Sequence, residues 1–143
     1  MPALCVADTR LALGQLAAAW RARFAMPLVA VTGSNGKTTT KEMLAAILAR
    51  RGPVLATQGN LNNDIGVPLT LLRLRDEHRC AVIEMGANHP GEIAYLSNLA
   101  RPTVALITNA AMAHIGGFGS LDEIAHTKGG IYAGLDENGI GIV

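Results

Sequence analysis

The chain has 143 residues, half of them hydrophobic and 16% charged, with a formal net charge of +1. That length suits one compact domain, and that apolar content supplies a core and argues against disorder. Charges of both signs are scattered and only 3% of residues are aromatic, so there is no basic stripe or base-stacking platform and no nucleic-acid partner is expected.

The chain opens Met1-Pro2 and meets Asp8 and Arg10 early, which is not a secretory signal. Asp8 or Thr9 is placed to cap a first helix in which Leu13, Leu16, Trp20 and Phe24 recur at helical spacing. Residues 27–31 are a short apolar run of strand type leading into Thr32-Gly33-Ser34-Asn35-Gly36. A helix is predicted from Lys37, with Met43, Leu44, Ile47 and Leu48 on its buried side, until Gly52-Pro53 stops it. A second strand spans 54–57, a polar loop rich in Asn and Gly spans 58–64, and a helix covers 65–74 despite Pro68. Strand, helix and strand then follow over 79–84, 91–100 and 103–108, with a last helix over 121–135 and a strand from 140. Cys80 reads as a buried strand thiol, and with Cys5 it makes neither a disulfide framework nor a metal knuckle. No apolar stretch reaches the roughly 18 residues of a membrane span, and a cytoplasmic protein is expected.

Short apolar strands alternating with amphipathic helices imply an α/β fold, a mostly parallel sheet with helices on both faces. Such sheets bind ligands at the carboxyl ends of their strands, and each motif below lies at such an end. Both ends of the chain read as cut, because no strand precedes the first helix and the last strand has only begun.

Between the first strand and the second helix lies Gly33-Ser34-Asn35-Gly36-Lys37-Thr38. Glycines let the backbone turn so that successive N–H groups face phosphate oxygens, and the helix start adds its positive end. Lys37 is placed to reach the β- and γ-phosphates of ATP, and the Thr38 hydroxyl to bind Mg2+. The usual P-loop pattern has a glycine five residues before Gly36, where this chain has Val31. It is a variant, with its early glycine at Gly33. Glu84 ends an apolar strand run, where a carboxylate can hold Mg2+ opposite Thr38 or simply face solvent. Asn60 and Asn63 by themselves read as turn-forming residues. A lone loop histidine such as His114 is by itself polar surface, and Lys128 by itself is an exposed helix lysine.

The loop from Thr32 to Thr40 resembles that of the Mur ligase superfamily, which builds the bacterial cell-wall peptide and has folylpolyglutamate synthases among its relatives. The resemblance continues through Gly59-Asn60-Leu61-Asn62-Asn63-Asp64-Ile65-Gly66-Val67-Pro68-Leu69-Thr70 and Glu84-Met85-Gly86-Ala87-Asn88. It extends to Gly91-Glu92-Ile93, Thr108-Asn109-Ala110-Ala111, His114 and Gly117-Phe118-Gly119-Ser120. It implies a P-loop NTPase-like ATP-binding central domain over 27–143, truncated at its C-terminal end. Residues 1–26 would be a helical lead-in from a missing N-terminal domain.

The resemblance also implies the chemistry. A substrate carboxylate attacks the γ-phosphate of ATP, and an amine then displaces phosphate from the acyl phosphate. The closest pattern within the family implies a UDP-muramoyl tripeptide as acyl donor and D-alanyl-D-alanine as amine, with a folate as the alternative donor. It implies that Gly33, Ser34, Asn35, Gly36, Lys37, Thr38 and Thr39 cradle the nucleotide. Thr38, Glu84 and His114 would bind metal, and Lys128 would be carbamylated to help hold a second Mg2+. Lys37, Lys128 and His114 are thereby the catalytic candidates, with Asn60 and Asn63 facing substrate. Gly130 stands where many relatives carry an acidic residue. The chain is expected to act as a monomer and to have little turnover without the flanking domains. Two other readings remain at this stage. A small P-loop kinase would want an arginine-rich lid, for which Arg73, Arg75 and Arg79 are the only cluster, and a nucleotide-dependent switch would need no carboxylate substrate.

Overall fold

Five short strands form one all-parallel sheet: β1 (Leu28–Thr32), β2 (Val54–Ala56), β3 (Cys80–Glu84), β4 (Val104–Ile107) and β5 (Ile140–Ile142). Their order is β2-β3-β1-β4-β5. The computed structural model describes residues 1–111 and 120–143. Between the strands run α2 (Lys37–Leu48), α3 (Gly66–Leu71), α4 (Glu92–Ala100) and α5 (Leu121–Gly129), and α1 (Thr9–Arg21) precedes the sheet. Right-handed crossovers in this strand order carry α2 over one face and α3, α4 and α5 over the other. In keeping with that, α1 packs on α3 and α4, and α4 on α5.

Strand alternation sorts the side chains between the faces. Leu28 and Ala30 of β1 and Ala81 and Ile83 of β3 join Leu71, Ile93 and Leu96 in the main apolar core. Val31 and Val82 are equally buried on the opposite side, under α2. The same alternation turns Glu84 toward α2, and Val31 lies directly beside it in register.

α1 starts at Asp8, whose carboxylate accepts from the N–H groups of Arg10 (2.8 Å) and Leu11 (3.0 Å). Its buried stripe is Gly14, Ala17 and Arg21, so Leu16, expected inside, is 59% exposed. Phe24 falls beyond the helix end and packs against the core from there. The larger departure is in α2. Leu44 and Leu48 are half-buried, while Met43 and Ile47 lie 60% and 61% exposed. Fully buried instead is Lys41, and positions 41, 44, 45 and 48 make the inward stripe at helical spacing. Met43 sits two residues, about 200°, away from Lys41 on that wheel. The last predicted helix is split: α5 ends at Gly129, and residues Gly130–Gly134 form a 3-10 turn. The adjacent glycines 129 and 130 stand where the α-helix ends, as their weak helix propensity favours.

Candidate functional site

The loop after β1 is held in shape by two glycines. Gly36 has φ 77 and forms the N-terminal boundary of α2, a left-handed conformation that a side chain disfavours. At Gly33 a Cβ would stand 1.9 Å from the Thr108 hydroxyl oxygen, so the loop can lie against the end of β4 only without a side chain there.

That contact is one of several. The Asn109 side-chain carbonyl accepts from the N–H groups of Ser34 (3.1 Å) and Asn35 (3.0 Å), and its amide donates to the Asn35 carbonyl (3.3 Å). The Thr108 hydroxyl donates to the same carbonyl at 2.6 Å. The Ser34 hydroxyl donates to the Ala111 carbonyl at 2.8 Å and accepts from the Ala111 N–H at 2.9 Å. The segment after β4 therefore straps the loop. It engages the first two N–H groups after Gly33 and leaves the start of α2 to face a ligand. The first-turn N–H groups of a helix have no intrahelical acceptor, and among the described residues no side chain caps those of α2. The Lys37 ammonium folds back onto the Gly33 carbonyl at 2.9 Å.

On the α2 side of the sheet, the Thr38 hydroxyl donates to Glu84 Oε2 at 2.9 Å, and the Asn62 amide donates to Oε1 at 2.9 Å. Glu84 is 1% exposed, so a solvated strand-end carboxylate is not what the fold contains. The Glu84 N–H donates to the Thr57 hydroxyl at 2.9 Å, and the Lys41 ammonium donates to the Thr57 carbonyl at 2.8 Å.

A cleft of about 770 Å3 opens beside these groups, within the range of small-molecule sites. Gly33, Ser34, Lys37, Asn63 and Lys128 all line it. Lys128 is half-buried rather than exposed. Desolvation, and secondarily the Lys37 ammonium, lower its pKa from the usual lysine value. On the far wall Arg10 pairs with Asp64 at 2.5 Å, and Glu92 accepts from the N–H groups of Asn88 (2.7 Å) and His89 (3.1 Å).

The fold does not gather every predicted residue. Asn60 and Thr39 are exposed and away from the cleft lining, and Asn35, Gly36, Thr38 and Glu84 stand beside the cleft rather than in its lining. Asn63 accepts from the N–H groups of Ile65 and Gly66, which starts α3. His114 lies outside the described residues. Arg75 donates to the carbonyls of Leu72 (3.0 Å) and Leu74 (2.7 Å), closing the end of α3 rather than forming a lid. Sequence reasoning gave no role to Asn62, Asn109 or Lys41. For Asn109 a signal existed, since a small polar residue just past a strand end is placed to touch the neighbouring strand's loop.

Residues 31–143 match the family described as the Mur ligase middle domain. The chain is 59% identical over 143 residues to the UDP-N-acetylmuramoyl-tripeptide–D-alanyl-D-alanine ligase of Escherichia coli (strain K12), covering all of this chain and 32% of that enzyme. Its fold matches MurF from Acinetobacter baumannii with a TM-score of 0.94 at 55% identity, over 97% of this chain and 31% of that one. MurF ligase from Thermotoga maritima, solved in complex with ADP, matches with a TM-score of 0.90 at 38% identity, over 98% and 33%. The chain thus spans about a third of the length of these relatives.

Proposed function

The chain belongs to the Mur ligase family, matching its middle domain, and from that premise we propose that it is the ATP-binding core of a ligase adding D-alanyl-D-alanine to UDP-N-acetylmuramoyl-tripeptide. The names of its relatives support this substrate pair. The observation that carries the reading is the phosphate loop with Lys37 set beside the Thr38–Glu84 pair, at the carboxyl ends of adjacent central strands. We read residues 27–143 as the nucleotide-binding core and 1–26 as its helical lead-in. The groups that grip the two peptide substrates would be supplied largely by parts of the enzyme beyond this chain. ATP and a nucleotide-linked substrate suit the cytoplasm.

Phosphates in the cleft would meet the first-turn N–H groups of α2 and the positive end of that helix. Lys37 would leave the Gly33 carbonyl for the phosphate oxygens. Mg2+ fits the donor set, because Thr38 and Glu84 present hard oxygen atoms 2.9 Å apart. Among the described residues no group of three His, Cys, Asp or Glu side chains could hold a metal alone, so phosphate oxygens and water would complete the shell. When bound, the ion neutralises phosphate charge, which lets an anionic carboxylate approach. The carboxylate oxygen bonds to the γ-phosphorus as the bond to the bridging oxygen breaks, giving an acyl phosphate and ADP. The amine nitrogen then bonds to the acyl carbon, and phosphate and a proton leave.

Lys128 has a role consistent with its lowered pKa. A neutral amine is the form that bonds to CO2, releasing a proton and leaving a carbamate anion. Isotopically labelled bicarbonate should give a carbamate signal that Lys128→Arg abolishes, and its absence from the unaltered protein would remove this role.

The experiment that tests the function measures phosphate release from ATP and Mg2+ by the full-length enzyme carrying this chain. The muramoyl tripeptide nucleotide and D-alanyl-D-alanine are supplied singly and together, with Lys37→Ala as control. Release that needs both substrates and is lost in the variant is expected. Release with a folate and glutamate instead would overturn the substrate.

A further inference from the structure

Lys41 has no part in the chemistry above, yet among the described residues it is the largest side chain buried completely, at 0% exposure. An apolar residue at this position would avoid the cost of desolvating an ammonium. What the ammonium adds is direction. It bonds one particular carbonyl, that of Thr57 just past β2, at 2.8 Å, with the exposed Glu42 carboxylate at 2.6 Å as its counter-charge.

Thr57 also touches the proposed cation site. Its hydroxyl accepts from the Glu84 N–H at 2.9 Å, and its own N–H donates to the Val82 carbonyl at 3.1 Å, locking it to β3. Lys41 follows Thr38 by three residues on α2, so both project from one side of the helix. The bonds close a ring. Thr38 meets Glu84, Glu84 meets Thr57, Thr57 meets Lys41, and one turn of α2 returns to Thr38. A helix sliding or rotating on the sheet would otherwise change the Thr38–Glu84 separation directly.

We propose that Lys41 and Thr57 form a positioning brace that fixes the Thr38 hydroxyl against the Glu84 carboxylate and so sets the site's affinity for a divalent cation. The inference rests on the reading of Thr38 and Glu84 as Mg2+ ligands. Neither brace residue touches the cation or the nucleotide.

The test is calorimetric titration of ADP into the protein across a Mg2+ series, with folding checked by circular dichroism. In Lys41→Met and in Thr57→Val the half-saturating Mg2+ concentration should rise about tenfold, while ADP affinity without Mg2+ stays within about twofold. Lys41→Arg should recover part of the loss, and the double variant should lose no more than the worse single one, because both act through one ring. Thr57→Val keeps the carbonyl and the shape of the side chain, so it carries the same expectation if Lys41→Met fails to fold. A folded variant with unchanged Mg2+ response overturns the brace, as does equal loss of Mg2+-free binding or additivity in the double variant. A lack of any Mg2+ effect in the unaltered protein overturns the cation site itself, and shows before any substitution is made.

Discussion

The two faces of the sheet are built on different principles. The face under α1, α3 and α4 is a continuous apolar core in which Leu28, Ile83, Leu71 and Leu96 are fully buried. The face under α2 buries Val31 and Val82 but also Lys41, Thr57 and Glu84, each joined to the next by hydrogen bonds. Dispersion and the hydrophobic effect dominate the first, with Arg21, Thr70 and Ser97 buried and hydrogen-bonded to carbonyls among its helices. Directed polar bonds hold the second, and they fix atoms relative to one another. The Gly33–Thr38 loop and the Thr38–Glu84 pair stand on the directed side.

Substitutions can break this contrast in order of expected effect. Ile83→Ala, at a fully buried core position, should destabilise the protein by about 2–5 kcal/mol in urea denaturation. A loss below that range would mean that the core face is not the main source of stability. Asp8→Ala removes the cap of α1 and should cost about 1 kcal/mol, read in the same way.

Lys128 gives a subtler signal. Its folded-state pKa is lowered, first by desolvation and then by Lys37, so the folded protein releases that proton more readily than the unfolded chain. Stability should therefore rise with pH between the lowered pKa and the usual 10.5, and Lys128 should add no slope below that window. In Lys128→Met this rise should flatten, and an unchanged profile would deny the shift. Smallest of all is Ile47→Ser on the outer side of α2, where 61% exposure predicts a change within about 0.5 kcal/mol. A larger loss would show that the outer side of α2 is packed after all.

The same contrast explains what the sequence made legible. Short apolar runs and turn residues reported every strand of the sheet to within about two residues. The Gly33–Thr38 motif pointed to the loop because its backbone demands are local. Hydrophobic periodicity was half right on α2: Leu44 and Leu48 face inward as expected, but Met43 and Ile47 do not, because the fully buried position of the stripe is taken by Lys41. The contacts of Asn62 and Asn109 are not local, although the place of Asn109 just past a strand end was a signal. Their partners, Glu84 and the Ser34–Asn35 backbone, lie 22 and about 75 positions away in the chain. The adjacency of β2 to β3 brings the first pair together, and that of β1 to β4 the second.

The central claim is that the loop and the start of α2 form a nucleotide-phosphate site, and titration of ATP with Mg2+ into this protein and into Lys37→Ala tests it most directly. The account predicts binding by the unaltered protein that weakens about 10- to 100-fold in the variant, as loss of a charged hydrogen-bond donor does. Equal affinity in the two proteins would contradict it.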